Sequence, residues 1–320
     1  MAKKASSGQY LFGPVASRRL GLSLGIDLVP YKTCSFNCIY CESGKTTALT
    51  AERLEYVPTV AVIQQLDELL RDNPQIDYLT FSGAGEPTLH SGLGKIISFL
   101  KTNYPQYKIC LLTNSTMFSH PEIFAEISAI DLIVPSLDAS STAEYLKINR
   151  PAPECDYNSF IAGLVEFSRS FAGEVWLEIF IVPGINDSDV AIEQFVELTR
   201  QIKPTKVQFN TLDRPGCVPW ITASSEENTM RFIKAMEPIC PVEAVGPFKY
   251  CTPVIAESLS INELKQRIIE LISRRPCRAL DMQETLGVSE ALLTAALAEL
   301  NSQHSIKVES SDRGDFFRPA

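Results

Sequence analysis

Three cysteines stand close together in KTCSFNCIYCESGKTT, at positions 34, 38 and 41, spaced C-x-x-x-C-x-x-C. Thiolates are soft metal ligands, and a loop of this length can curl Cys34, Cys38 and Cys41 around one face of a cubane iron–sulfur cluster. Most four-iron clusters take four protein thiolates, so three leave one iron with a position for another ligand. A zinc site would lack a fourth partner here, since the only histidines are the distant His90, His120 and His304. Inert core cysteines fit poorly among Lys32, Asn37, Glu42 and Lys45.

Other residues that could act with this loop fall later in the chain. The segment Ser82-Gly83-Ala84-Gly85-Glu86-Pro87-Thr88 pairs two glycines, which let backbone approach a ligand, with a carboxylate able to accept from an ammonium. An ordinary strand-to-helix turn is its plain alternative. LLTNST offers Asn114 and Ser115, and VPSLDAS offers Ser136 and Asp138. LEIFIVPGIND carries Glu178, a candidate catalytic acid if it faces the interior and an exposed strand position if not. Cys217 is a candidate hydrogen donor or substrate contact, with an incidental loop cysteine as the preferred alternative. Cys110 sits in an apolar run and reads as core. Arg18 and Arg19 are candidates for an anionic substrate group, or else a surface pair.

Positioning these residues falls to a series of short apolar runs: Gly21–Val29, Asp77–Ser82, Lys108–Thr113, Asp131–Leu137, Glu174–Val182 and Lys206–Asn210. They are too continuous to have a wet face and read as buried parallel strands. Helical patterns lie between them near 59–72, 92–103, 120–128, 158–171, 188–202 and 224–237. Six β-α units in series predict an α/β fold, a partial barrel or a doubly wound sheet, with its chemistry at the carboxyl ends of the strands.

A different pattern begins after residue 259. Ser260 and Glu263 form a capping box. A helix to about Ser273, a short helix ending at Leu286, a helix over Glu290–Asn301 and a hairpin around Asp312–Asp315 read as a winged helix. The expected division is 1–19 extension, 20–250 core, 251–259 linker and 260–320 winged-helix-like domain.

Cys34-x-x-x-Cys38-x-Tyr40-Cys41, with an aromatic before the last cysteine, resembles the signature of the radical S-adenosylmethionine (SAM) superfamily. The resemblance implies a partial (β/α)6 barrel and a [4Fe–4S] cluster on Cys34, Cys38 and Cys41. It implies a bound SAM that is cleaved reductively to a 5′-deoxyadenosyl radical, which abstracts hydrogen from a substrate. It assigns SAM contacts to Tyr40, Gly83, Gly85, Glu86, Asn114, Ser136, Asp138, Ile181 and Val182. It also implies a reductase such as flavodoxin or ferredoxin as partner. FGPVASRRLGLSLGIDLVPYKTCSFNCIYCESGKTT resembles the wyosine-base synthetase group, which modifies a tRNA guanosine. The second cluster of that group has no cysteines here before Cys110, so the substrate stays open among an RNA base, a peptide or protein and a metabolite.

Composition bounds these readings. The chain carries 29 Lys and Arg against 38 Asp and Glu, a net charge of −9, which opposes general nucleic-acid binding. The would-be recognition helix holds Glu290 and Glu299 and no Lys or Arg, which speaks against DNA binding. A redox-sensing winged-helix regulator is the rival reading; it predicts a cluster with four protein ligands and specific DNA binding. No apolar run approaches the roughly 20 residues of a membrane span, and no apolar segment follows Lys3 and Lys4, so the chain reads as cytoplasmic.

Overall fold

The computed structural model describes residues 8–17, 19–213, 216–245, 248, 250–251, 260–274, 277–286, 288–311 and 314–320. The chain divides into two compact units, Met1–Tyr250 and Cys251–Ala320.

The first unit is built on a sheet whose strands follow almost in chain order. β1 (Leu11–Ser17) is antiparallel to β2 (Gly21–Ile26), and then β5 (Tyr78–Phe81), β6 (Lys108–Thr113), β7 (Leu132–Pro135), β8 (Glu174–Phe180), β9 (Lys206–Asn210) and β10 (Val242–Val245) run parallel. A short strand, β11 (Tyr250–Cys251), ends the sheet order. Two further short strands, β3 (Thr33–Cys34) and β4 (Ala48–Leu49), pair with each other after β2. Consecutive parallel neighbours need crossover helices, and α1 (Thr59–Leu70), α2 (Leu93–Asn103), α3 (Pro121–Ile127), α5 (Tyr157–Ser170), α6 (Asp189–Ile202) and α7 (Glu226–Met236) supply them. The result is a mixed α/β partial barrel, open between its first and last strands.

Local chemistry sets the helix limits. Ser188 caps α6 by accepting from the Ala191 amide at 3.1 Å, and Ile192, Phe195 and Ile202 bury one face. Lys203 ends it in the left-handed conformation, φ 56°. The strands split their side chains by alternation. Leu79, Phe81, Ile109, Leu111, Ile133, Leu177 and Ile179 join the main core with the helices. Cys110, Leu132 and Val134 pack on the opposite, concave face with Leu20, Tyr78 and Trp176. Cys110 is therefore a core residue, fully buried.

Several elements carry no clear local signal in the sequence, among them β1, α4 (Thr142–Ile148) and β10. β1 lies within the segment read as an extension and tolerates Pro14 because it is the sheet edge. α4 is too short to show a clear period, and β10 carries an acid amid four residues.

The second unit holds α8 (Ile261–Arg274), α9 (Ala279–Leu286) and α10 (Glu290–Ser302), then a hairpin of β12 (Ile306–Ser311) and β13 (Gly314–Pro319). Its own core gathers Leu264, Ile268, Met282, Leu293, Leu300 and Ile306. The capping box forms: the Ser260 amide donates to Glu263 at 2.9 Å, and the Glu263 amide donates to Ser260 Oγ at 3.4 Å. Asp312, Arg313 and Arg275 lie outside the described residues.

Candidate metal centre and cofactor pocket

The cysteine loop follows β2 and lies at the carboxyl ends of the parallel strands. Its backbone is tied to α4 by Asn37 N–H to Asn149 O and Ile39 N–H to Ile148 O, each 2.9 Å. Phe36 enters the core edge-on to Tyr145, ring centres 5.4 Å apart. Tyr40 stacks on Phe180 at 3.9 Å, and its hydroxyl donates to Asp138 at 2.5 Å. These anchors set Cys34, Cys38 and Cys41, all partly exposed, along one short stretch.

Each sulfur faces a side-chain N–H donor. Asn114 Nδ2 lies 3.5 Å from Cys34 Sγ, Asn149 Nδ2 lies 3.6 Å from Cys38 Sγ, and Lys32 Nζ lies 3.0 Å from Cys41 Sγ. Burial pushes the Cys34 thiol up to about 12 and raises Cys38 as well. A thiol holding its proton so firmly becomes a ligand only where a metal cation takes the proton's place. Among the described residues no three His, Cys, Asp or Glu converge on a point for a single ion. The thiols nevertheless lie within one another's electrostatic reach. Three thiols on one loop, each with its own side-chain N–H donor, fit a polynuclear iron–sulfur cluster whose irons are ligated one by one.

The glycine loop packs on the cysteine loop. Lys32 N–H donates to Ala84 O and Glu86 N–H donates to Thr33 O, both at 3.2 Å. The glycines make room for protein: a Cβ on Gly85 would stand 1.9 Å from Thr33 O, and one on Gly83 would stand 2.3 Å from Asp27 Oδ1. Gly83 also has φ +147°, a conformation that side chains disfavour. Glu86 is 2% exposed, and its carboxylate accepts from Thr88 N–H (3.1 Å), Thr88 Oγ1 (2.7 Å), Thr113 Oγ1 (2.7 Å) and Asn114 N–H (2.7 Å). It staples two strand ends together and sets Asn114 beside Cys34.

Asp138 is likewise committed to protein. Besides Tyr40 it accepts from Asn149 Nδ2 at 3.0 Å and Phe180 N–H at 3.0 Å. Ser136 is half-buried and bridges β8 at Glu178. Val182 packs with Ile39 and Phe180 beside Tyr40, whereas Ile181 joins the main core.

Glu178 is not an exposed strand residue. Alternation sets it on the concave face, 14% exposed, in a salt bridge with Arg19. Arg19 Nη1 also donates to Gln208 Oε1 at 3.2 Å, and Asn210 Nδ2 lies 3.5 Å from Glu178 Oε2. Arg18 lies outside the described residues. Cys217 reaches the cysteine loop, its thiol donating to Cys41 O at 3.4 Å. Lys32, Asn149, Gln208 and Asn210 were missed as site residues; their partners are distant in sequence, and no local pattern marks them.

The family model of the radical SAM superfamily matches residues 28–196, and the chain belongs to that superfamily. It is similar to a Brachyspira hyodysenteriae protein named GTPase Obg, 34% identical over 304 residues, which cover 93% of this chain and 43% of that one. The chain thus spans less than half the length of that relative. It is also similar to a UPF0026 protein of Helicobacter pylori strain J99, 32% identical over 84% of this chain and 85% of the relative. Among solved structures it shares its fold with a radical SAM methyltransferase from Sphaerobacter thermophilus. The TM-score is 0.54 at 16% identity, over 70% of this chain and 66% of that one. It shares the fold too with Streptococcus suis SuiB bound to S-adenosylmethionine, TM-score 0.52 at 12% identity, over 75% and 54% of the two chains. Membership of that superfamily implies an iron–sulfur cluster and SAM, and radical SAM enzymes generally need a reductant. No helix among the described residues is long and apolar enough to cross a membrane.

Proposed function

We propose that Cys34, Cys38 and Cys41 hold a [4Fe–4S] cluster whose remaining iron binds SAM. The observation that carries this is three thiols on one anchored loop, each facing an N–H donor, at the carboxyl ends of parallel strands. When bound, the reduced cluster and SAM supply a 5′-deoxyadenosyl radical that abstracts hydrogen from the substrate.

The chain's own residues position and enclose. The backbone of Gly83–Glu86 and the polar ends of β6 and β7, at Asn114 and Ser136, line the SAM side. Tyr40 and Val182 shield it. Glu86 and Asp138 act through their hydrogen bonds, because their oxygens already accept from protein donors. Glu178, with Arg19, supplies a charged pair on the concave face where a substrate would enter. The electron comes from a flavodoxin- or ferredoxin-class reductase. The substrate is an RNA base, a peptide or protein, or a small metabolite.

The test is anaerobic reconstitution with iron and sulfide, reduction with dithionite, and assay for 5′-deoxyadenosine. Wild type should release it and Cys38→Ala should not. Equal yields from both would overturn the proposal.

A further inference from the structure

Lys32 is a lysine only 3% exposed whose one side-chain hydrogen bond among the described residues is to a sulfur, Cys41 Sγ. A buried ammonium is costly unless an anion faces it. A neutral thiol does not meet that need; a thiolate bound to an iron–sulfur cluster does. The other two sulfurs have donors of fixed orientation. Asn114 Oδ1 accepts from Thr116 N–H at 3.1 Å and Thr116 Oγ1 at 2.8 Å, so its amide nitrogen is the atom left to face Cys34. Asn149, 2% exposed, turns its nitrogen to the Asp138 carboxylate and has its second N–H for Cys38.

The backbone around these donors is unusual. Among the described residues, Asn73, Arg150, Lys203 and His304 have positive φ just beyond helix ends, where a left-handed residue is common. The two other non-glycine positions are Lys32 itself, φ 58°, and Ser115, φ 66°, next to Asn114. Such conformations persist where surrounding structure enforces them.

We infer that Lys32, Asn114 and Asn149 form a shell of one side-chain N–H donor per cluster thiolate, beside the Phe36 amide 3.5 Å from Cys34 Sγ, that raises the cluster's reduction potential, with Lys32 the strongest member. This rests on the reading of Cys34, Cys38 and Cys41 as cluster ligands. Reduction adds negative charge to the iron and sulfur atoms. N–H dipoles and a buried cation stabilise that charge more than the oxidised state, so the midpoint rises. Lys32 adds a full charge where the two amides add dipoles. These are positioning residues; none needs to touch the substrate.

The test is a redox titration, followed by electron paramagnetic resonance, of the reconstituted full chain. Lys32→Met and Asn149→Leu should both titrate at lower potential than wild type, Lys32→Met the lower of the two. Lys32→Arg, which keeps charge and donor, should stay near wild type. Should Lys32→Met fail to retain its cluster, Lys32→Gln, which keeps an N–H without charge, should still fall below wild type. Midpoints in the Lys32 variants equal to wild type would overturn the inference while leaving the cluster reading intact. A wild-type chain that takes up no iron and sulfide would overturn both.

Discussion

The Tyr40 hydroxyl donates to the Asp138 carboxylate at 2.5 Å, joining the cysteine loop to the end of the strand Leu132–Pro135. The same carboxylate holds Asn149, which faces Cys38. One bond thus links a ring of the loop to the shell around a sulfur. Tyr40→Phe keeps the stacking on Phe180 and removes only the hydroxyl. It should destabilise the protein by about 1.5–3 kcal/mol, as for other bonds to a charged partner. Urea denaturation of the two proteins measures it.

Asp138 also gives the fold a pH signature. Burial pushes its carboxyl up to about 6 from the ordinary 3.8. Between those values the folded protein keeps a proton that the unfolded chain releases. This contribution is therefore fully present below about pH 4 and is lost as pH rises through about 6. Asp138→Asn has no such proton to lose. Its stability relative to wild type should improve by on the order of 2–3 kcal/mol between acid and neutral pH. Denaturation curves of both proteins at the two pH extremes check the sign. A constant difference would refute this account of Asp138.

Gly85 lies where two loops meet, and an added Cβ would stand 1.9 Å from the Thr33 carbonyl, the residue before Cys34. The Thr33 carbonyl is backbone and cannot swing away, and Val29 Cγ2 would stand 2.6 Å off on another side. Gly85→Ala should force the cysteine loop outward, lowering stability by at least about 2 kcal/mol and reducing the iron retained after reconstitution. Melting temperature and iron per chain are the readouts.

Arg19 and Glu178 are 18% and 14% exposed, close to the condition in which breaking an ion pair strands a charge. Arg19→Met should cost about 3 kcal/mol, whereas Arg19→Met with Glu178→Leu should recover much of it. A double-mutant cycle in urea measures the coupling. Additive losses would show that the two charges act independently.

Much of this arrangement was legible in the sequence because the signals are local. Strands Lys108–Thr113 and Lys206–Asn210 appear over the residues their apolar runs indicated, and Ser188 caps its helix as its side chain suggests. The cysteine spacing and the order of the glycine loop behind it resemble the superfamily's signature on their own. What escaped was non-local. Lys32 is one charge among many until its exposure falls to 3% beside Cys41. Asn149 lies 111 residues from the sulfur it faces. Glu86 and Asp138 were read as ligand contacts, but carboxylates buried this deeply need several donors, and here the protein provides them.

The account depends on one iron standing apart from three that are held by Cys34, Cys38 and Cys41. Mössbauer spectra of the reconstituted, iron-57-labelled chain, with and without SAM, measure that directly. One iron should change its isomer shift when SAM is added while the other three keep theirs. Spectra that SAM leaves unchanged would contradict it.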